Sequence, residues 1–431
     1  MFKVAKFGGS SVADTNQFRK VKEIVDEDVQ RRYIVVSAMG KSKKYPEKIT
    51  DLLIQLYQHP DDFLLFNGIK NRFLEIKQEL SLSYNIEENF ERLQRQLKEG
   101  VSYDYLISRG EYFTAQLMAE YLDYPFLDAK DIIVFKNDEQ IDFNKTEKNI
   151  KKFSEEFECF IVPGFYGTNN RHEIQLMKRG GSDISGALLA SFLNAGLYEN
   201  WTDVSGFYMV DPHLIQNSKK IKRISYTELK ELSHRGANVL HEEAIFPVKE
   251  KNIPIQILNT NSPKESGTRI ENYPISKHLC EVSGIAGNKD YSIIRIFNKE
   301  NENNMDVLHD SLEILKKYKI KIENIPAEIN NCSIVIRSKN KEQSIKEAIQ
   351  EIYDSCLVDK IKLVNDVALI SVVGQNLINH SKIIGNIFYG LGNEDIDVKI
   401  ISKGNEDMSL LIGIDSCLLN KAVESIYKTL S

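Results

Sequence analysis

Several features are missing from this 431-residue sequence, and each absence removes a class of function. There is no excess of basic charge: 56 Lys and Arg stand against 62 Asp and Glu, a formal charge of −6, which leaves no electrostatic footprint for nucleic acid. Acidic and basic residues are interspersed, so charge points to no particular partner. The five cysteines (Cys159, Cys280, Cys332, Cys356 and Cys417) lie far apart. No C-x-x-C pair occurs, which argues against a disulfide framework and a zinc site and fits a reducing cytoplasm. No apolar run approaches the roughly 20 residues a membrane helix needs, and Lys3 and Lys6 interrupt any signal-peptide core. Two nucleotide motifs are also missing. The GKS at Gly40 to Ser42 has Val35 where a P-loop needs its first glycine, and no G-x-G-x-x-G follows a strand.

What is present reads as a soluble globular chain of two to four domains, with 42% hydrophobic and 27% charged residues. The stretch VAKFGGSSV, Val4 to Val12, runs from an apolar strand through two glycines and two serines toward a helix at Asp14 to Asp28, capped by Asp14 or Thr15. Such a turn admits close backbone approach and points helix N–H groups at an anion, with Lys6 adding a charge. It reads equally well as a tight strand-to-helix turn with a surface lysine. YIVVSAMG (Tyr33 to Gly40) suits a buried parallel strand, the KSKKYPEK after it a solvated loop, and Thr50 to about Leu97 polar helices. ISRGEYFTAQLMAEYL (Ile107 to Leu122) predicts a helix with Glu111 in its first turn. RGGSDISGALLASFLNAG (Arg179 to Gly196) predicts a glycine loop and a helix ended by glycine. With strands at CFIVPGFYGTN, WTDVSGFYMVDP and IPIQILNT, the alternation implies a mainly parallel α/β sheet, whose ligands sit beyond the strands' carboxyl ends.

Past about Pro274 an internal repeat begins. A constant offset of 76 residues carries Ile294 onto Ile370, Ile296 onto Val372, Leu315 onto Leu391, Ile320 onto Ile396 and Ile336 onto Ile412 without a gap. Each copy reads strand, amphipathic helix, strand, turn, strand, most of a ferredoxin-like unit, and carries no catalytic pattern. These units look like binding or dimerisation modules.

Separated polar clusters fall at strand ends: Lys6 with Gly8, Gly9 and Ser10; Ser37; Glu111; Arg179 to Asp183; and Thr202 with Asp203. Glycine loops with Lys6 and Arg179 suit phosphoryl transfer, where catalysis is mostly positioning and charge neutralisation. Each cluster also has a plain structural reading. RGGSD makes a capped helix start, Glu111 decorates a helix dipole, and Asp203 caps a turn. His234 and His241, seven apart, are too far apart on a helix to pair on a metal, and Glu242 and Glu243 read as helix surface.

Taken in order, these clusters resemble the aspartate kinases, a branch of the amino acid kinases. KFGGSSV is similar to that family's K-F-G-G-[ST]-S-V, SRGE to its S-x-G-E, and RGGSD to its signature loop. WTDVSGFYMVDP is similar to its W-T-D-V-x-G-[IF]-Y-x-x-D-P, and GANVLHEEA to its G-A-x-V-L-H. The tandem repeat resembles the two ACT domains these enzymes use for feedback control. The resemblance implies an α/β/α catalytic sandwich over 1–278 and ferredoxin-like ACT units over 279–362 and 363–431, with a strand at 282–286 that completes the second. It implies transfer of phosphate from ATP, with magnesium, to the side-chain carboxylate of L-aspartate, the first step toward lysine, threonine and methionine. No metal ligand is expected from the protein's own side chains.

Lys6 is assigned to the transferring phosphate, and Gly8, Gly9 and Ser10 to phosphate contacts. By resemblance, Arg179 would clamp the substrate's α-carboxylate. Glu111 would face its ammonium, Asp183 would orient Lys6 or that ammonium, and Ser37 and Thr50 would line the substrate pocket. Thr202, Asp203, Tyr208 and Asp211 match positions around adenine and ribose. Effector contacts are expected at Met305, Asp306, Val307, Ile325 and Glu328, for lysine, threonine or both, in a homodimer joined through the ACT units, with a tetramer of paired dimers as the alternative. Two departures stand out: His213 replaces an arginine usual in the family, and Asn238 a lysine, so either neighbours such as Lys219 compensate or ATP is held less tightly. Two alternatives follow, a kinase for another amino-acid carboxylate and an amino-acid sensor with a decayed kinase domain. Because the sequence ends after the repeat, a monofunctional enzyme without a fused dehydrogenase is expected.

Overall fold

The apolar run around Lys6 forms β1 (Lys3–Phe7), and the β-branched run after it β2 (Arg31–Val36). Both lie in the first of two units of a computed structural model that describes residues 2–136, 140–178, 180–234, 240, 242–272, 282–298, 304–326, 331–356, 358–404 and 407–430. This unit comprises 1–207, 222–226 and 238–273. Its other strands are β3 (Phe160–Pro163), the hairpin β4 (Tyr166–Thr168) and β5 (Ile174–Leu176), β6 (Leu197–Thr202), β7 (Arg223–Ile224), β8 (Ile255–Asn259) and β9 (Thr268–Ile270).

The main sheet has the order β3-β2-β1-β6-β8-β9-β7, parallel from β3 through β8, with β9 antiparallel to β8. β1 is therefore interior, bonded to β2 on one side and to β6 on the other, and Lys6 stands in register with Val35 and Asn200. Crossover connections between parallel strands are helical, as such strands require. In chain order the helices are α1 (Thr15–Glu27), α2 (Ile49–Gln58), α3 (Phe63–Glu79), α4 (Ile86–Glu99), α5 (Tyr103–Leu122), the single turn α6 (Ala129–Ile132), α7 (Phe143–Glu156), α8 (Gly181–Phe192), α9 (Tyr226–His234), which groups with the second unit from Thr227 on, and α10 (Glu242–Glu250). Asp14 caps α1 by accepting from Gln17 N–H, as its position predicts. The α5 helix starts earlier than expected, with Ser102 as its cap, so Glu111 lies in the interior of the helix and not in the first turn.

The second unit comprises 208–221, 227–237 and 274–431, so two stretches that precede residue 278 group with it. After β10 (Val282–Asn298) come α11 (Asn304–Lys317), β11 (Ile322–Asn324), β12 (Asn331–Arg337) and α12 (Glu342–Ser355). Then follow β13 (Val358–Gly374), α13 (Ser381–Asn393), β14 (Ile400–Lys403), β15 (Ser409–Asp415) and α14 (Leu419–Leu430). The sheet β11-β12-β10-β13-β15-β14 is antiparallel throughout. The two long strands β10 and β13 serve both repeats. Tyr291 to Phe297 pair with β12, whereas Val282, Ile285 and Gly287 pair with Gly374, Val372 and Ile370.

The 76-residue offset separates the cores cleanly. Ile294, Ile296, Leu315, Ile320 and Ile336 are buried together in one cluster, and their counterparts Ile370, Val372, Leu391, Ile396 and Ile412 in another. Because both side chains are fully buried, Ile336→Ala and Ile412→Ala should each cost about 3 kcal/mol, read from urea denaturation. The two clusters share no member, so the losses should add in the double variant; strong non-additivity would mean the cores are coupled.

Candidate functional site

The site is built where β1 and β6 end side by side. Val4, Ala5 and Phe7 are buried in the apolar interior, and Lys6 is the one charged residue among them, only 7% exposed. Register with Asn200 explains its surroundings. The Lys6 Nζ lies 2.5 Å from Asp183 Oδ1 and 3.5 Å from Asn200 Oδ1, while Asn200 Nδ2 donates to Asp183 Oδ1 at 3.0 Å. A buried ammonium is tolerable only when paired and hydrogen-bonded, and these two side chains do both.

Two glycine turns flank this triangle. Gly8 N–H donates to Trp201 O at 2.9 Å, tying the first turn to β6, and Gly40 N–H donates to Gly9 O at 2.8 Å, tying it to the turn after β2. Gly9 and Gly40 pack backbone on backbone: a Cβ on Gly40 would lie 2.6 Å from Gly9 C. The second turn ends at Gly180, whose φ of 80° is a left-handed conformation suited to glycine, and α8 begins directly after it. Asp183 therefore sits in the first turn of α8 with free N–H groups around it. Phe165 N–H donates to Ser185 Oγ, which donates to Gly181 O, and so fixes this helix start against the loop after β3.

A cavity of about 700 Å³ opens at these turns. It brings together Lys6, Gly8, Gly9, Ser10, Ser37, Thr50, Glu111, Asp183, Thr202 and Asp203, all singled out in the sequence. Arg179, Asn238, His241 and Glu328 lie outside the described residues. Tyr208 and Asp211 belong to the second unit, as do Met305 and Asp306, both exposed, and Ile325; Val307 is buried in the core of the first repeat.

Some participants escaped sequence reading. Lys41 and Lys48, placed in a solvated loop, line the cavity. Asn200 is revealed only by strand register. Arg72, 1% exposed on α3, donates to Glu47 O and Ala13 O at 2.9 Å each and to Gly40 O, and its guanidinium stacks 4.6 Å from the Tyr45 ring. Burial pulls it down to about 10, so it remains charged at neutral pH while it braces two loops, the turn before α1 and the connection from β2 to α2. Behind the site, Glu199 accepts from Arg31 Nε at 2.7 Å and Trp201 Nε1 at 2.9 Å and so anchors the strand that holds Asn200. No sequence pattern marks these residues, because their partners are backbone carbonyls or side chains far away in the chain.

Glu111 departs most from expectation. It is 5% exposed, and its Oε2 is buried with no hydrogen-bond partner, so it is not a surface residue decorating a dipole. Burial pushes its carboxyl up to about 8, opposed by the Ala38 N–H and, more weakly, by Arg109. A buried, unsatisfied acid on a polar cavity is arranged for a cationic group. The stability consequence has a definite sign: the folded chain holds this proton more tightly than the unfolded chain. That stabilisation is complete below the unfolded value near 4.3 and is lost as pH rises through about 8. Glu111→Gln is neutral at every pH, so its melting temperature relative to the native chain should rise between about pH 5 and pH 8. A constant difference over that range would refute the assignment.

Comparison with known proteins agrees with this geometry. The model of the amino acid kinase family matches residues 1–259, and an ACT domain model matches residues 370–430. The chain is 31% identical to Aspartokinase 3 of Bacillus subtilis, over 99% of this chain and 98% of that one. Among solved structures, the aspartate kinase of Clostridium acetobutylicum superposes with a TM-score of 0.91 at 37% identity, with full coverage of both chains. Aspartokinase III of E. coli, solved with aspartate and ADP, superposes with a TM-score of 0.78 at 23% identity, again over both full chains, and shares the fold. Family model, relatives and the Lys6 cleft agree: this chain belongs to the amino acid kinase family, in its aspartokinase branch.

Proposed function

We propose that the chain transfers the γ-phosphoryl group of ATP to the side-chain carboxylate of L-aspartate, giving 4-phospho-L-aspartate and ADP. The observation that carries this reading is the buried Lys6–Asp183–Asn200 triangle set between two glycine turns, with an unpaired buried acid on the same cavity. A substrate carboxylate has an ordinary pKa near 3.9, so the nucleophile is ionised at neutral pH and no general base is needed. The difficulty is the approach of two anions, and it is met by fixed positive charge and donors. Lys6 supplies the charge, held in place by Asp183 and Asn200. Gly9 and Ser10 offer donors to the phosphates, Gly8, whose N–H is held by Trp201 O, allows their close approach, and Glu111 ionises as the substrate ammonium comes to it. Ser37 and Thr50 line the substrate side, and Thr202 and Asp203 the nucleotide side. By resemblance, Arg179 takes the substrate's α-carboxylate, and Tyr208 and Asp211 contact the nucleoside. The gathering of Lys6, Glu111 and Asp183 on one cavity argues against a decayed kinase.

Magnesium fits as an ion carried on the nucleotide's own phosphates. Among the described residues no three acidic, histidine or cysteine side chains cluster as a metal site, and of the cavity's carboxylates Asp183 is engaged by Lys6 and Glu111 is buried. Asp51 and Asp203 are the cavity carboxylates left to complete such a shell. When bound, the ion neutralises charge on the phosphates.

The regulatory reading rests on the second unit. E. coli aspartokinase III has been solved with lysine and aspartate. For this chain we place lysine or threonine at the start of α11 and the end of β11, near Met305, Asp306, Val307, Ile325 and Glu328, in a cytoplasmic homodimer joined through the ACT units. Catalytic and regulatory domains are set at 1–278, 279–362 and 363–431. Pairing of Val282, Ile285 and Gly287 with β13 supports 282–286 as the strand that completes the second regulatory unit.

Lys6→Met keeps length and removes charge, so kcat for aspartate-dependent ADP release should fall on the order of 100-fold; turnover near that of the native chain would exclude Lys6 from the mechanism. ADP release should require L-aspartate and fail with L-glutamate or N-acetyl-L-glutamate, and absence of aspartate dependence would overturn the substrate assignment. Lysine, threonine or the pair should depress the same rate, and indifference to all three would remove the effector assignment.

A further inference from the structure

A second cavity in the first unit, of about 590 Å³, lies on the other side of α5 from the cleft. It is lined in part by Arg92, Tyr105, Arg109, Tyr112, Lys130 and His172, and shares none of its lining residues with the Lys6 cavity. Its centre is Arg109, 5% exposed. Three rings pack around the guanidinium, its carbon lying 4.4 Å from the Tyr105 ring centre, 4.3 Å from that of Tyr112 and 5.7 Å from that of Tyr166. Access to it is therefore edge-on.

The hydrogen bonds show which edge is used. Ser108 Oγ accepts from Nε at 3.2 Å and from Nη2 at 2.9 Å, and Tyr105 O accepts from Nε at 3.2 Å. These bonds occupy the Nε–Nη2 edge. Among the described residues Nη1 has no hydrogen-bond partner and no carboxylate forms an ion pair with Arg109, so the Nη1–Nη2 edge presents two parallel N–H donors toward the cavity. A buried guanidinium without a counter-ion is costly, and two parallel donors in one plane match the oxygens of a carboxylate. Three carboxylates also line the cavity: Glu99, exposed at the end of α4, and Asp128 and Glu173, which are engaged by other groups, Asp128 in part by Lys130 at 3.6 Å. Asp128 accepts from Tyr166 Oη at 2.8 Å, and Glu173 accepts from Asn169 Nδ2 at 3.0 Å.

We propose that this cavity is a second ligand site, which takes a small carboxylate held edge-on by the Arg109 fork between Tyr105 and Tyr112, with Lys130, Arg92 and His172 at its rim. Arg109 and Glu111 stand two residues apart on α5, one on each cavity, so a ligand here abuts the helix that carries the buried acid of the cleft. The site is independent of the phosphoryl-transfer assignment. Its probe is benzoate, a planar carboxylate without the ammonium expected of the kinase substrate.

Benzoate titrated calorimetrically into the full chain should bind with saturating L-aspartate and ADP present, and Arg109→Met should weaken it by roughly tenfold or more. Crystals of the native chain soaked in 4-bromobenzoate should show bromine anomalous signal between the Tyr105 and Tyr112 rings, a readout that does not depend on how the variant folds. Displacement of benzoate by aspartate, unchanged affinity in a folded Arg109→Met chain, or bromine located elsewhere would each overturn the proposal.

Discussion

Everything in the first unit depends on keeping one ammonium charged inside a parallel sheet. Lys6 lies on an interior strand, among residues that exclude water, where an ammonium without partners is costly. Asp183 from the start of α8 and Asn200 from the adjacent strand supply those partners and are bonded to each other. The pair is useful because it is incomplete: an ammonium has three donors, and the cavity gives an incoming phosphate access to what remains. The same arrangement explains the positions of the glycines, since a side chain on Gly9 or Gly40 would force apart the turns that frame the lysine.

A second layer holds that arrangement rigid. Arg72 ties Gly40, Ala13 and Glu47 through their carbonyls, and Glu199 with Arg31 and Trp201 secures the strand beside Lys6. Electrostatic stabilisation of a transferring phosphate works only if the charges are in place before the reaction starts. Buried arginines bonded to carbonyls suit that requirement, because their geometry is planar and their rotamers are fixed by packing. Glu111 obeys the opposite logic. Its Oε2 is buried without a hydrogen-bond partner, and burial favours its neutral form.

The second unit solves a different problem. Two copies of one pattern share two long strands, β10 and β13, and keep separate cores on either side of the repeat boundary. Periodic burial at equivalent positions is what the 76-residue offset encodes, and it holds where the paired residues differ, as at Ile296 and Val372. The first strand of β10 pairs outside its own repeat, an exchange that a linear reading of the pattern anticipates only through family resemblance.

The sequence by itself determined the class of sheet, the repeat, and the glycine turns with Lys6, because periodicity and turn chemistry are local properties of the chain. It also made Asp183, Ser37, Thr50, Thr202 and Asp203 recognisable through ordered motifs. Only the tertiary structure decided which of these residues meet on one cavity. Asn200 became a partner of Lys6 because parallel register set them side by side across 194 residues. Glu111 changed from a dipole ornament to a buried acid because α5 begins at Tyr103 and turns that residue inward. Arg72, Arg109, Lys41 and Lys48 carry no signal in the chain, since burial and long-range partners are properties of packing, not of sequence spacing.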